Sequence, residues 1–287
     1  MMTNRIQKQG LQLFLKSVNR QTFNPTVIKH NQFDCHIATA KQCGTHWIKY
    51  MLSLILCEIY NLPKPNHIIE DNIIGHTKTP PRYDHIPQIA VTHSHPHYLL
   101  RLPNVVPVLN LPQYIVMVRD PRDILVSAYE KIKGGQMQKT FNVSEDLSFS
   151  EFLQSDIQIK KPVADIWSTI QFMNSWSYIL KNHPEHTSLI RYEDLKSDTL
   201  KEMKRLCDFM NIEGATKDII QNAIDQSSRS KMKTKLNPNE INAEKSVNLK
   251  ARNFKDWYSD DDKLFVNTIF KRYLKNNYSY NLNNWDH

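Results

Sequence analysis

The chain has 287 residues, 40% of them hydrophobic and 23% charged, which suits a soluble globular protein of one large α/β domain or two small ones. No secretory signal is expected, because Met1 to Arg20 lacks a continuous apolar core, and the most apolar run, Trp47 to Leu62, is broken by Lys49 and Glu58 and too short to span a bilayer. The net charge of +8 is concentrated: eight Lys or Arg stand against two Glu between Arg229 and Lys255. No zinc-finger, RRM or helix-turn-helix signature accompanies it, so a concentrated anion site is expected rather than a nucleic-acid face. Cys35, Cys43, Cys57 and Cys207 form no CxxC and no regular spacing, which fits a reduced, cytoplasmic setting.

In chain order, residues 1–30 are polar and loosely patterned. Cys35 to Ala40 reads as a first short strand, running through a turn containing Gly44 into a buried helix that extends to about Leu62. Strand, Gly-containing turn and helix make a phosphate cradle, although GxxxxGK[ST] is absent. Residues 63–86 are rich in Pro, His and Asn and are expected to be irregular, contributing to an acceptor pocket. Gln88 to Thr92 is a second short strand, followed by His93, His95 and His97. Continued strand would put these three on one face, a metal-site pattern. Pro96 interrupts the strand, no Asp completes an HxHxDH motif, and no metal is expected.

Residues 99–112 carry three prolines and read as a connecting loop. Tyr114 to Val118 is an apolar run suited to a buried parallel strand. Arg119 ends it, Asp120-Pro121 supplies an N-cap and first helical residue, and Gly134 closes a helix carrying Ile124, Leu125 and Ala128. A cation at the carboxyl end of a strand, beside a helix N-terminus, binds anions; Ser127, two turns on, adds a hydroxyl. The alternative is that Arg119 pairs locally with Asp120 or Asp123 and that Ser127 only packs.

Phe141 to Lys161 reads as a pocket-side loop with a short helix. Val163 to Asn182 reads as a helix whose Trp167, Ile170, Met173 and Trp176 are mostly core. Ser188 to Leu195 is a strand and turn, leading to a helix from Ser197–Thr199 to Gly214 with a Thr199/Glu202 capping box. After Ser259 a last helix is expected to pack on the sheet, with the final residues frayed.

The string R-D-P-R-D-x-x-V-S-x-Y from Arg119 to Tyr129 resembles the 3′-phosphate segment of the cytosolic-type sulfotransferases that use 3′-phosphoadenosine 5′-phosphosulfate (PAPS). The resemblance assigns the 3′-phosphate to Arg119 and Ser127. Thr39 to Trp47, T-A-K-Q-C-G-T-H-W, is similar to the family's T-Y-P-K-S-G-T-T-W loop. It implies a 5′-phosphate site made from Lys41, Gln42, Cys43, Gly44, Thr45 and His46, with Trp47 stacked on adenine. Gln42 stands where the family has its catalytic Lys; Lys41, one residue earlier, is favoured for that role because a cation better offsets charge on the departing bisphosphate. Thr92-His93 matches the family's K-T-H-x-P, with Val91 in place of Lys, and implies His93 as general base, with His95 in reserve.

Tyr192 in Y-E-D-L-K is implied to contact adenine. Ser227 and Arg229 occupy the adenine positions of T-S-F-x-x-M-K, and Arg229 can stack as a planar cation. Lys250 and Arg252, ahead of Asp256-Trp257, resemble the family's R-K-G-x-x-G-D-W phosphate grip.

The resemblance implies a single α/β domain with a parallel sheet flanked by helices, a P-loop-like sulfotransferase fold spanning residues 34–287 after an N-terminal segment of residues 1–33, with a lid at about 233–250. It implies PAPS as co-substrate, adenosine 3′,5′-bisphosphate as product, and a small-molecule hydroxyl or amine as acceptor. The displaced lysines suggest a specialised acceptor of the natural-product-tailoring kind. A homodimer is compatible, though the family's carboxy-terminal dimer motif has no clear counterpart. Two other readings stand beside it: a PAPS or bisphosphate binder without transferase activity, and a His-rich metallo-hydrolase.

Overall fold

A computed structural model describes residues 32–96, 100, 112–133, 144, 146–154, 164–236 and 253–285. Its centre is a five-stranded sheet: β1 (Cys35–Thr39), β2 (Gly75–His76), β3 (Ile89–Thr92), β4 (Gln113–Val118) and β5 (Thr187–Arg191). The spatial order is β2-β3-β1-β4-β5 and every pairing is parallel. A parallel sheet needs both faces covered, and the continuous apolar runs Cys-His-Ile-Ala-Thr and Tyr-Ile-Val-Met-Val meet that need. All five residues of β1 are buried, as are Tyr114 to Val118 of β4.

The chain leaves β1 toward β3 on one side and reaches β4 on the other. The carboxyl ends of these strands therefore border a crevice at a topological switch point, where α/β sheets bind ligands. Register then places the chemistry. Ala38 lies beside Thr92, so His93 emerges next to Thr39; Val118 lies beside Arg191, so Arg119 emerges next to Tyr192.

Helices α1 (Thr45–Ile59), α2 (Pro121–Ile132), α3 (Phe149–Gln154) and α4 (Ile166–Asn182) follow in order, then α5 (Tyr192–Ser197), α6 (Thr199–Phe209), α7 (Lys217–Gln226), α8 (Arg229–Thr234) and α9 (Asp260–Tyr273). Asp120 caps α2, accepting from the Arg122 N–H at 2.9 Å, with Pro121 at the first helical position, as the sequence predicts. Asp165 and Ser259 cap α4 and α9 in reciprocal capping boxes. The cap of α6 differs from the Thr199/Glu202 expectation. Asp198 takes the N-cap place and accepts from Lys201 N–H at 3.1 Å, while Glu202 turns to Arg205.

The carboxy-terminal stretch packs against the domain as far as Trp285, and the final two residues, expected to fray, lie outside the described residues. Tyr278 and Tyr280 are buried, and the Arg122 guanidinium lies over the rings of Phe254 and Trp285 at 4.9 and 5.0 Å while donating to the Asn284 carbonyl at 2.6 Å. Phe254, Tyr278, Tyr280 and Trp285 give this segment enough aromatic surface to bury. Helix α9 packs on the helical layer, through Ser150–Asp262 and Asn174–Tyr273 hydrogen bonds, rather than directly on the sheet. Trp167, read with its neighbours as mostly core, is buried edge-on against Tyr273.

Among the described residues, no helix is long and apolar enough to cross a membrane. The four cysteines are free and buried.

Candidate active site

The loop from Lys41 to Gly44 bends back at the end of β1 through two left-handed residues, Gln42 at φ 65° and Gly44 at φ 84°. At Gln42 that conformation costs a non-glycine residue about 1–3 kcal/mol and must be held by its surroundings. Arg119 supplies the hold, donating from Nη1 to the Gln42 carbonyl at 2.7 Å; the Ser127 hydroxyl reaches the Gln42 side-chain oxygen at 3.4 Å. The loop after β1 is thus tied to the start and middle of the β4–α2 unit.

Helix α1 opens without a side-chain cap and without an acidic residue in its first turn. Helices α2, α4, α6, α7 and α9 each have an oxygen side chain on their first N–H groups. The α1 terminus therefore presents backbone donors and the positive end of its dipole to the crevice, where an anion can complete it. Thr45 Oγ1, at this terminus, lies 2.8 Å from Thr39 Oγ1.

Arg119 occupies the other side of the crevice. Its Nε donates to Asp123 Oδ2 at 2.8 Å, and Nη2 pairs with the same oxygen. The local pairing expected as the alternative reading is therefore real, and it orients the guanidinium rather than removing it from the crevice. Burial works against the charge, but Asp123, Tyr192 and Cys43 together outweigh it and raise the Arg119 pKa. The guanidinium carbon stands 4.5 Å from the centre of the Tyr192 ring. That ring in turn lies against Gly44 and meets Trp47 edge-on at 6.2 Å.

Glu193 is a residue the sequence reading passed over. Its carboxylate accepts from the Asp120 backbone N–H at 3.0 Å and from the Tyr280 hydroxyl at 2.6 Å. It thereby locks the turn after β5 to the turn after β4 and fixes Tyr192 beside Arg119. An acidic residue immediately after the Tyr at a strand end was the available signal.

His93 Nδ1 lies 2.9 Å from the Thr39 carbonyl and 3.0 Å from Thr39 Oγ1. A carbonyl only accepts, so Nδ1 carries the proton and Nε2 is left with the basic lone pair. Part of the His93 ring is open to solvent. The protein packed around it nevertheless pushes its pKa down to about 4, against the Thr39 hydrogen bond and helped by the charges of Lys41, His76 and Lys131. Because water reaches the open edge, the direction matters more than the extent: the imidazole is neutral at neutral pH.

His46 is also pushed down to about 4, mainly by burial and then by Lys131 and Lys49, and its Nδ1 is buried without a hydrogen bond. One turn along α1, the buried Lys49 ammonium is bonded to Asp71 and to the Ile69 carbonyl at 3.1 Å. Desolvation lowers its pKa, and Asp71 opposes that shift. This pair pins the segment between α1 and β2, the one read as acceptor pocket, to the helix that starts the phosphate cradle.

The structure thus brings Lys41, Gln42, Gly44, Thr45, Trp47, His93, Arg119, Ser127 and Tyr192 to one crevice. Cys43 is buried there with its thiol pKa raised by desolvation, so it stays protonated. His95 is instead buried against α4, with Nδ1 3.0 Å from Ser175 Oγ. Ser227 is buried at the end of α7, its hydroxyl donating to the Ile224 carbonyl, and Arg229 is exposed at the first turn of α8. No contact ties either of these two to the crevice among the described residues. His97, Lys250, Arg252 and most of the expected lid lie outside the described residues, as does nearly all of the 1–33 segment. Among the described residues no three His, Cys, Asp or Glu side chains converge as a metal site.

The sulfotransferase domain family matches residues 32–279. The chain belongs to that family. No curated protein gives a significant match. Among solved structures, the sulfotransferase domain is similar to mouse sulfotransferase SULT7A1 complexed with PAP, at 15% identity and a TM-score of 0.59, over 89% of this chain and 90% of that one. It is also similar to retinol dehydratase in complex with androsterone and the inactive cofactor PAP, at 14% identity and a TM-score of 0.54, over 92% of this chain and 85% of that one. These likenesses confirm the parallel α/β sulfotransferase fold expected from the sequence. The family match makes sulfuryl transfer the general chemistry of the domain.

Proposed function

We propose that this sulfotransferase transfers the sulfuryl group of PAPS to a hydroxyl or amine of a small-molecule acceptor. The observation that carries the reading is the uncapped start of α1 facing Arg119 across one crevice, two anion sites joined by the Arg119–Gln42 hydrogen bond. The residues present fit a doubly phosphorylated nucleotide: backbone donors at one end, a guanidinium and the Ser127 hydroxyl at the other, and the Tyr192 and Trp47 rings beside them. When bound, PAPS supplies the activated sulfuryl group and a bisphosphate leaving group.

The chain's own groups do the rest. His93 Nε2 takes the acceptor's proton, with Nδ1–H held by Thr39 so that the correct tautomer faces outward. Lys41 offsets the negative charge that develops as the bond to sulfur breaks. Two observations support Lys41 over Gln42 in this role: Gln42 is turned toward Ser127 and Arg119, whereas the Lys41 charge is felt by His93. Ser227, Arg229, Lys250 and Arg252 remain proposed nucleotide contacts on the resemblance alone. Retinol dehydratase is known in complex with PAP and androsterone and with PAP and retinol, which fits small-molecule acceptors as a class.

The test is turnover. Purified protein is incubated with sulfur-labelled PAPS and a panel of phenols, alcohols and amines, and labelled product is counted for wild type and His93→Asn. Transfer to at least one acceptor, lost in the variant, supports the reading. Nucleotide binding with no transfer to any acceptor would favour a bisphosphate-binding protein instead.

A further inference from the structure

A cavity of about 650 Å³ lies away from the nucleotide crevice, between α4, the edge strand β5 and residues 275–279. Asn174, Ser177, Tyr178 and Lys181 face it from α4 at the i, i+3, i+4, i+7 spacing of one helical face. Leu189 and Arg191, two apart, face it from β5. Its size falls in the range of small-molecule pockets, about 300–1,000 Å³.

Its charge is one-sided. Lys181, Arg191 and Lys275 line it and no Asp or Glu does. Lys181 and Lys275 are exposed and form no ion pair among the described residues. Arg191 is stacked over the Tyr280 ring at 4.4 Å, with Asp194 3.9 Å from Nη1, and its Nε is buried without a hydrogen-bond partner.

The walls are preformed. Asn174 donates to the Tyr273 carbonyl at 2.7 Å and accepts from the Lys275 N–H at 2.8 Å, clamping the loop to α4. Asn276 and Asn277 accept from the Tyr278 and Ser279 N–H groups, holding two consecutive left-handed residues at φ 51° and 63°. Such strain persists only where the surroundings enforce it.

We propose that this cavity is a second anion site, binding a small phosphate or sulfate ester whose frame lies on Tyr178 and Leu189 and whose charged group meets Lys181, Arg191 and Lys275. It is independent of the nucleotide crevice, and the inference does not rest on the transferase reading.

The test is calorimetric titration of the full chain, in the presence of saturating PAP, with glucose 6-phosphate, glucose 6-sulfate and unmodified glucose. At least one ester binds and glucose does not; which ester binds separates phosphate from sulfate recognition. The Lys181→Ala/Lys275→Ala double variant, both positions being exposed, keeps the wild-type melting temperature and binds that ester at least tenfold more weakly. Arg119→Ala, which should not retain PAP and is titrated without it, leaves ester affinity unchanged. Absence of ester binding, wild-type affinity in the double variant, or loss of ester binding in Arg119→Ala overturns the proposal.

Discussion

The Tyr192 ring lies so close to Gly44 that a Cβ on residue 44 would come within 2.8 Å of Tyr192 Cε2. The glycine is therefore demanded twice, by this approach and by its left-handed backbone at φ 84°. Gly44→Ala is expected to lose about 1–3 kcal/mol of stability from backbone strain alone. Displacement of Tyr192 should weaken PAP binding at least tenfold. Urea melts and calorimetry on the variant measure the two effects separately.

Arg119 uses three nitrogens, two on Asp123 and one on the Gln42 carbonyl. Lysine keeps the charge and loses the planar fork that serves these partners at once. Arg119→Lys should lower PAP affinity about tenfold, close to 1.4 kcal/mol, through release of the loop as well as loss of phosphate contact. Equal affinity in wild type and variant would mean that only charge matters at this position.

The pH dependence follows from His93. Its base form is neutral, and the surrounding protein shifts its pKa down to about 4. Protonation removes activity, so the rate should hold as pH falls through 6.5, its acid limb lying below the range of a free imidazole. Lys41 contributes to that depression, behind desolvation. Lys41→Ala should therefore move the acid limb upward toward 6.5 as well as lower the plateau. His93→Asn should abolish the limb and most of kcat while retaining PAP binding.

Lys41 and Gln42 are separable by kinetics. Lys41→Ala should lower kcat by at least tenfold with a modest change in PAP affinity, since its work lies in the transition state. Gln42→Ala should act mainly on PAP affinity, because it removes the side-chain oxygen bonded to Ser127 while leaving the backbone carbonyl that Arg119 holds. A reversed pattern would transfer the charge-offsetting role to Gln42.

Much of this crevice was legible because its parts sit where chain periodicity breaks. Val118 to Pro121 shows a strand ending in a cation and a helix beginning with its cap, and the structure keeps that order residue for residue. What stayed hidden depends on distant partners. The two-residue strand Gly75–His76 has too few residues to show alternation and exists through its pairing with Ala90 and Val91. The packing of Tyr192 on Gly44 joins positions far apart in the chain. So does the Glu193 bridge from Asp120 to Tyr280, which ties the stretch after α9 to the turns of the crevice. His95 looked equivalent to His93 in the string; β3 ends at Thr92, so strand periodicity no longer holds, and His93 stays on Thr39 while His95 turns to Ser175 on α4.

The central claim is that one crevice grips both phosphate-bearing ends of a 3′,5′-bisphosphate nucleotide. Isothermal calorimetry of the folded chain with PAP tests it most directly. One site of roughly micromolar affinity, about −8 kcal/mol, is expected, and it disappears in Arg119→Ala. No binding by the folded wild-type chain, or undiminished binding in Arg119→Ala, would contradict it.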